Sequence, residues 1–329
     1  MVITNSEKKI LNQTYENILQ INKFSDLSNT ELMMAVLGYK PAMAESRTLD
    51  AKIHQNLNKI RRLGQQIGLH MATSQNKYIV NSPRGIFDEI PLDDPRLGKI
   101  IIAFSDTKAK AKNGADYYHK KMLDSYYSDK FARLMGYPEC CLEFGRYLNN
   151  HERDSDNFGF KNPAVESLKR SKHFAWQLNV FTYTPLSHYP CSLTCKKSVE
   201  YVNKVMSCYE YIDKRCYSFL SDYAKQPASL YWTCVDKILL YGAFKQYDLG
   251  TGEIKYHKIE PMIASNTFYQ EVDKNQISEW KNIEKALRKG NKLIVTDNTC
   301  CIYFDKKKTL EIKKTNKYIP VLVKPDLLS

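Results

Sequence analysis

The sequence predicts an α+β protein in three parts: a mixed α/β region over 1–121, a helical cysteine-motif module over 122–225 and a β-rich module over 226–329. Three observations predict it. Apolar residues recur at helical spacing through most of residues 6–68. The middle of the chain continues in helical patterns around two cysteine motifs. From about Ser229 onward, short apolar runs alternate with turn residues, which is the pattern of a small antiparallel sheet or a partly open barrel.

The elements follow in order. Asn29-Thr30-Glu31 precedes Leu32, Met33, Val36 and Leu37, a capped amphipathic turn that ends at Gly38. Ile53, Leu57, Ile60, Leu63 and Ile67 line one helical face, and Gly68 stops it. Strands are expected around Leu69–Ser74 and Lys77–Val80, followed by a Pro/Gly/Asp-rich connection from Ser82 to Gly98. Lys99–Phe104 reads as a buried strand, and Ser105-Asp106 as the start of a helix running to Lys121, a βα unit of the kind common in α/β domains. No glycine-rich phosphate loop accompanies it. In the last module, strands are expected at Leu230–Trp232, Ile238–Tyr241, Ile254–Ile259, Lys292–Thr296, Cys301–Phe304 and Tyr318–Val323, with one helix near Ile277–Leu287. Pro320 confines the last strand to an edge.

Composition narrows the class. Apolar and charged fractions of 43% and 26% are those of a globular protein. No run approaches the roughly 18 apolar residues of a membrane span. The N-terminus has no apolar signal core, so a cytoplasmic protein is expected. Nine cysteines, with vicinal pairs at Cys140-Cys141 and Cys300-Cys301, fit metal or redox chemistry better than a disulfide framework. The net charge of +13 attracts phosphate, but it comes from 38 Lys and only 11 Arg, and Lys is also the common solvating residue of exposed faces. Nucleic-acid binding is therefore a secondary expectation.

The chemistry concentrates in two motifs about fifty residues apart, Gly136-Tyr137-Pro138-Glu139-Cys140-Cys141 and His188-Tyr189-Pro190-Cys191-Ser192-Leu193-Thr194-Cys195. Pro138 is expected to open a helix with Cys140 and Cys141 in its first turn. Ser192 is expected to cap a second helix, with Cys195 at its third position and Val199, Val202, Met206 and Tyr209 on its apolar face. Thiols at helix N-termini favour the thiolate, the form that binds soft metals and attacks electrophiles. If the motifs meet, Cys140, Cys141, Cys191 and Cys195 supply four sulfurs for an iron–sulfur cluster, iron or zinc, with His188 able to replace one. Cys191-x₃-Cys195 has metal-ligand spacing; the adjacent pair is less usual. Glu139 and Glu143 flank the first motif as helix-dipole partners or proton carriers. Cys208, Cys216 and Cys234 read as small core residues, and Cys300-Cys301 as one inward and one outward strand position.

The pattern Gly-Tyr-Pro-x-Cys-Cys-x-x-Phe, preceded by Phe131–Met135 and followed by His-Tyr-Pro-Cys-x-x-x-Cys, resembles a prokaryotic family, domain of unknown function 483. The matching positions are Gly136, Tyr137, Pro138, Cys140, Cys141, Phe144, His188, Pro190, Cys191 and Cys195, within a similarity over residues 98–225. The resemblance implies a cysteine-motif protein and carries no reaction with it.

Three functions are thus expected in order. The first is a cytoplasmic metal-dependent enzyme with an iron–sulfur, iron or zinc site, acting on a small or peptide-borne molecule, with His188 and Glu139 or Glu143 assisting. The second is a nucleic-acid-binding protein with a structural zinc site and stacking aromatics on the β module. The third is a thiol redox protein.

Overall fold

The computed structural model describes residues 3–80, 87–123, 125–152, 163–182, 184–225, 228–231, 237–262, 274–314 and 321–325. Contacts divide the chain into two compact units, one of residues 1–146 with 204–214 and one of residues 147–203 with 215–329. The class is α+β, and both sheets are antiparallel.

The first unit opens with α1 (Asn5–Ser25), held by a capping box in which the Thr4 hydroxyl accepts from the Glu7 N–H and Glu7 accepts from the Thr4 N–H. Next come α2 (Asn29–Val36), β1 (Ala42–Thr48), α3 (Ala51–Gln66), β2 (His70–Thr73), β3 (Lys77–Val80), β4 (Phe87–Ile90), β5 (Lys99–Ser105), α4 (Lys108–Leu123) and α5 (Ser125–Leu134). β5 is the centre of the sheet. β1 pairs along one edge, while β2 and β3 share the other. Its residues from Ile100 to Phe104 are all buried because both faces are covered. Adjacent side chains point to opposite faces: Phe104 meets α3 at Gly64, and Ala103 meets α4 at Gly114. Glycine at both contacts lets the helices approach closely.

Four expectations change here. Residues 42–48, read as part of a helical stretch, form β1. Ala42-Met43-Ala44-Glu45-Ser46-Arg47-Thr48 has little strand propensity, and pairing with the apolar edge of β5 decides its state. β4 lies inside the expected Ser82–Gly98 connection. The strand–helix pair β5–α4 is not a parallel crossover, since every neighbour of β5 runs antiparallel. Its helix also starts later than Ser105-Asp106: the Thr107 carbonyl takes the Ala111 N–H and its hydroxyl takes the Lys110 N–H, so Thr107 is the cap.

The second unit holds the C-terminal part of α6 (Glu139–Glu152), then α7 (Pro163–Lys169), a 3-10 turn at Trp176–Leu178, the first part of α8 (Lys196–Ile212) and α9 (Lys214–Lys225). The sheet follows: β6 (Ala228–Tyr231), β7 (Lys237–Asp248), β8 (Thr251–Met262), β9 (Lys292–Val295), β10 (Thr299–Phe304), β11 (Lys307–Lys313) and β12 (Val321–Val323), with α10 (Lys274–Lys289) between β8 and β9. The strand order is β11-β10-β9-β8-β7-β6-β12. Among the described residues no ladder joins β11 to β12, so this is an open sheet. Trp280, Ile283 and Leu287 of α10 pack with Leu240, Ile254, Leu293 and Ile302 from one face. The hairpin turn expected at Asp248–Gly252 joins β7 to β8, with Gly250 at φ +89°. β11 was not expected: Lys307-Lys308 reads as a solvated patch, and lysines on an edge strand guard it against further pairing. Trp232, Cys234 and Tyr318–Pro320 lie outside the described residues.

No helix among the described residues is long and apolar enough to cross a membrane.

Candidate metal centre

The first motif is built by the junction of α5 and α6. Gly136 takes φ +72°, its N–H bonding the Arg133 carbonyl while the Tyr137 N–H reaches back to Ala132, a Schellman close to α5. The Pro138 carbonyl then accepts from the N–H groups of Cys141 and Leu142, so the helix starts at Glu139 and both cysteines fall in its first turn, as expected. The turn rests on Lys40-Pro41. A Cβ on Gly136 would lie 2.8 Å from Pro41 Cδ, and the Lys40 ammonium, which pairs with Glu31, sits 5.4 Å from the Tyr137 ring. Left-handed strain and this collision together predict that Gly136→Ala lowers stability by about 2–3 kcal/mol in urea unfolding. An unchanged midpoint would mean the turn is not the constraint described.

The second motif starts its helix later than expected. Ser192 does not cap α8; its carbonyl accepts the Cys195 N–H at 3.1 Å and closes a turn. The Cys195 carbonyl accepts the Val199 N–H, so Cys195 itself occupies the cap position before Lys196. The turn is held from behind. The N–H of fully buried Leu193 donates to Ser171 Oγ at 2.6 Å, and its carbonyl accepts from the Ala175 N–H. These anchors fix where Cys191 and Cys195 stand, and sequence reasoning passed over both Leu193 and Ser171.

The two motifs meet. The sulfurs of Cys140, Cys141, Cys191 and Cys195 all lie within 4.8 Å of one another, a group that could hold a metal ion. The vicinal pair is 4.0 Å apart. Cys141 and Cys195 are buried, while Cys140 and Cys191 are half-buried. With zinc–sulfur bonds near 2.3 Å, a tetrahedral tetrathiolate needs its sulfurs about 3.8 Å apart, so the donor set fits one ion with small adjustments. Three of the sulfurs stand at helix N-termini, two in the first turn of α6 and one at the cap of α8, where unpaired N–H groups and the helix dipole suit a site of net negative charge.

The flanking groups are also placed. His188 is outside the four-sulfur group; its Nε2 is 3.0 Å from Ser198 Oγ, and the Ser198 hydroxyl donates to Cys195 Sγ at 3.4 Å. With the Ser198 proton directed at sulfur, His188 Nε2 is the donor to Ser198. Ser198 is fully buried. Cys195-x-x-Ser198 is one helical turn, so this partner was findable in the sequence once Cys195 is taken as the cap. Both Glu139 oxygens receive Arg133 at 2.7 and 2.8 Å, and Arg146, which also grips Asp129, lies 3.5 Å away. That charge balance keeps Glu139 from opposing the thiolates beside it. Glu143 is exposed on α6.

The remaining cysteines provide contrast. Burial pushes the Cys208 thiol up to about 11 and the Cys300 thiol up to about 12, so both stay protonated at neutral pH. Cys300 points inward and Cys301 is half-buried, as strand alternation requires. Cys216 is half-buried rather than in the core. Compared with protein-family models, curated proteins and solved structures, the chain matches none.

Proposed function

We propose that Cys140, Cys141, Cys191 and Cys195 hold a single metal ion as a closed tetrathiolate, with zinc the ion that suits a structural role. The observation that carries this reading is the mutual approach of all four sulfurs within 4.8 Å. In a polynuclear iron–sulfur cluster the thiolates are shared among different irons. Neighbouring sulfurs 4.0 Å apart instead match one edge of a tetrahedron around one ion. Four protein ligands complete that tetrahedron, whereas a catalytic zinc keeps a position for water or substrate. The engagement of His188 with Ser198 and of Glu139 with two arginines also favours structural and tuning roles for them over proton transfer. Iron in the same four-sulfur site is the second reading, since soft thiolates accept either metal.

Anaerobic purification with elemental analysis and an absorption spectrum tests the proposal. One zinc per chain and no colour are expected; one iron per chain with thiolate charge-transfer bands would support the second reading. Several irons with acid-labile sulfide would overturn the single-ion assignment and restore the cluster. Ser198 gives a finer test. Removing a hydrogen bond to a ligand typically weakens metal affinity 10–100-fold, so Ser198→Ala should lose that much in a chelator competition at unchanged stoichiometry. Ser198→Thr, which keeps the hydroxyl, should lose less.

A further inference from the structure

The sheet of the second unit has one face packed against α10 and a second face whose composition is unusual. Strand register sets residues of five strands in line on it: Lys308 of β11 opposite Tyr303 of β10, Tyr303 opposite Lys292 of β9, Lys292 opposite Lys255 of β8, and Lys255 opposite Ala243 of β7. The row thus carries three lysines around one aromatic ring and no carboxylate. The next row on the same face, Glu311, Cys301, Ile294, Glu253 and Lys245, is mixed in charge, and Lys308 pairs with Glu311. Lys255 and Lys308 are exposed, and Lys292 and Tyr303 are half-buried, with the Lys292 ammonium 4.6 Å from the Tyr303 ring centre.

Two features of this row need a cause beyond folding. Lys255 and Lys292 face each other directly across β8 and β9, an arrangement of like charges that destabilises a sheet. The Tyr303 ring, on the face away from the core, lies under the Lys292 ammonium with Lys308 across the strand from it. A polyanion with stackable bases answers both: it neutralises the opposed lysines and takes the ring face that Lys292 now covers. We propose that this lysine–tyrosine row binds single-stranded nucleic acid, with Lys255, Lys292 and Lys308 at phosphates and Tyr303 stacking on a base. Adjacent strands are about 4.8 Å apart, so the three lysine positions span about 14 Å across the sheet. Lysine contacts phosphate as a point charge, which gives backbone recognition and little sequence preference. Stacking on Tyr303 is equally tolerant, because every base has a π face. The charge complementarity is with the row itself, independent of the chain's net +13.

Fluorescence anisotropy of the full chain with a labelled 20-mer of uridine, and with its deoxythymidine counterpart, tests the proposal. Three phosphate contacts predict a slope of log Kobs against log salt near −2. Lys292→Gln should reduce that slope by about 0.7 and weaken binding, and Tyr303→Ala should weaken it about tenfold. Lys112→Gln removes the same charge from an exposed position on α4 in the other unit and should leave the slope unchanged. Similar binding of both oligomers supports backbone and stacking contacts alone; preference for the ribose form adds a contact to the 2′-hydroxyl. The proposal is overturned if neither oligomer binds at 50 mM salt, about the low end at which such contacts are strong. It is also overturned if Lys112→Gln and Lys292→Gln act alike, or if anionic phosphatidylserine vesicles bind and oligonucleotide does not compete. Thermal melts of each variant separate a lost contact from a lost fold.

Discussion

Cys191→Ser and Cys195→Ser should each leave the protein with less than about a tenth of its metal after dialysis against a zinc buffer, while Cys216→Ser retains it all. Serine is nearly the size of cysteine, so neither change opens a cavity; what it removes is a thiolate, and a neutral hydroxyl does not replace it on a soft ion. Structural zinc contributes about 10–16 kcal/mol of apparent binding energy in peptides that fold around it, and that energy becomes folding energy. Losing the ion here should therefore lower the melting temperature by about 10 °C or more, since 1 kcal/mol moves a unit of this size by about 2–4 °C. The wild-type protein treated with a strong chelator should melt where the two variants do. Cys216 is half-buried on α9 and outside the four-sulfur group, which makes it the matched control. Retention of full metal by Cys191→Ser, or equal loss in Cys216→Ser, would sink the assignment.

The electrostatics of the centre explain why its ligands sit where they do. Four thiolates around a divalent ion would carry two net negative charges, and burial of Cys141 and Cys195 would make that charge expensive to keep. Two helix N-termini oppose it, the Ser198 hydroxyl reaches Cys195, and Arg133 and Arg146 cancel Glu139. The Tyr137-Pro138 turn thus starts a helix beside a thiol, and at the second motif the turn that Ser192 closes at Cys195 does the same. Their value is visible only when both helix ends supply the same ion.

That distinction marks what was legible from residues alone. Motif positions and the helix start after Pro138 could be read because turn chemistry is local: glycine at φ +72° and a proline two residues on admit few backbone paths. The buried run at Ile100–Phe104 was equally plain, since a short apolar run with three successive β-branched isoleucines, preceded by a turn-rich connection, suits a strand covered on both faces. β1 was not legible, because Ala42–Thr48 owes its extended state to its partner β5. Nor was the meeting of the two motifs, which depends on contacts far apart in the chain. The second helix start was misread for a local reason: Ser192 is a better cap by type, yet its carbonyl is spent on closing the turn at Cys195.

Gly242→Ala should be the most damaging small substitution in the second unit. At the bulge where Tyr241 pairs with Lys258 and Gly242 with Tyr256, the β8 backbone closes over the α-carbon of Gly242. A Cβ there would lie 1.9 Å from the Lys255 carbonyl oxygen and 2.6 Å from Tyr256 Cα. Both are backbone atoms, so no rotamer change relieves the overlap; β7 and β8 must separate. Separation strains the central hairpin of the sheet and pulls Tyr256 and Leu240 from the cluster around Trp280. Overpacking a core costs about 1–3 kcal/mol when side chains can yield, so a collision with a fixed ladder should exceed about 4 kcal/mol. Against a total of about 5–15 kcal/mol, that leaves the unit close to unfolding at room temperature. Gly145→Ala is the size-matched control, because its added methyl meets nothing within 4 Å and lies inside a helix. It should stabilise by about 0.5–1 kcal/mol. Urea unfolding followed by circular dichroism separates the two: a midpoint for Gly242→Ala within experimental error of wild type would mean that the β7–β8 register drawn at the bulge is wrong, while the row of lysines, aligned by the β8–β9, β9–β10 and β10–β11 pairings, would stand.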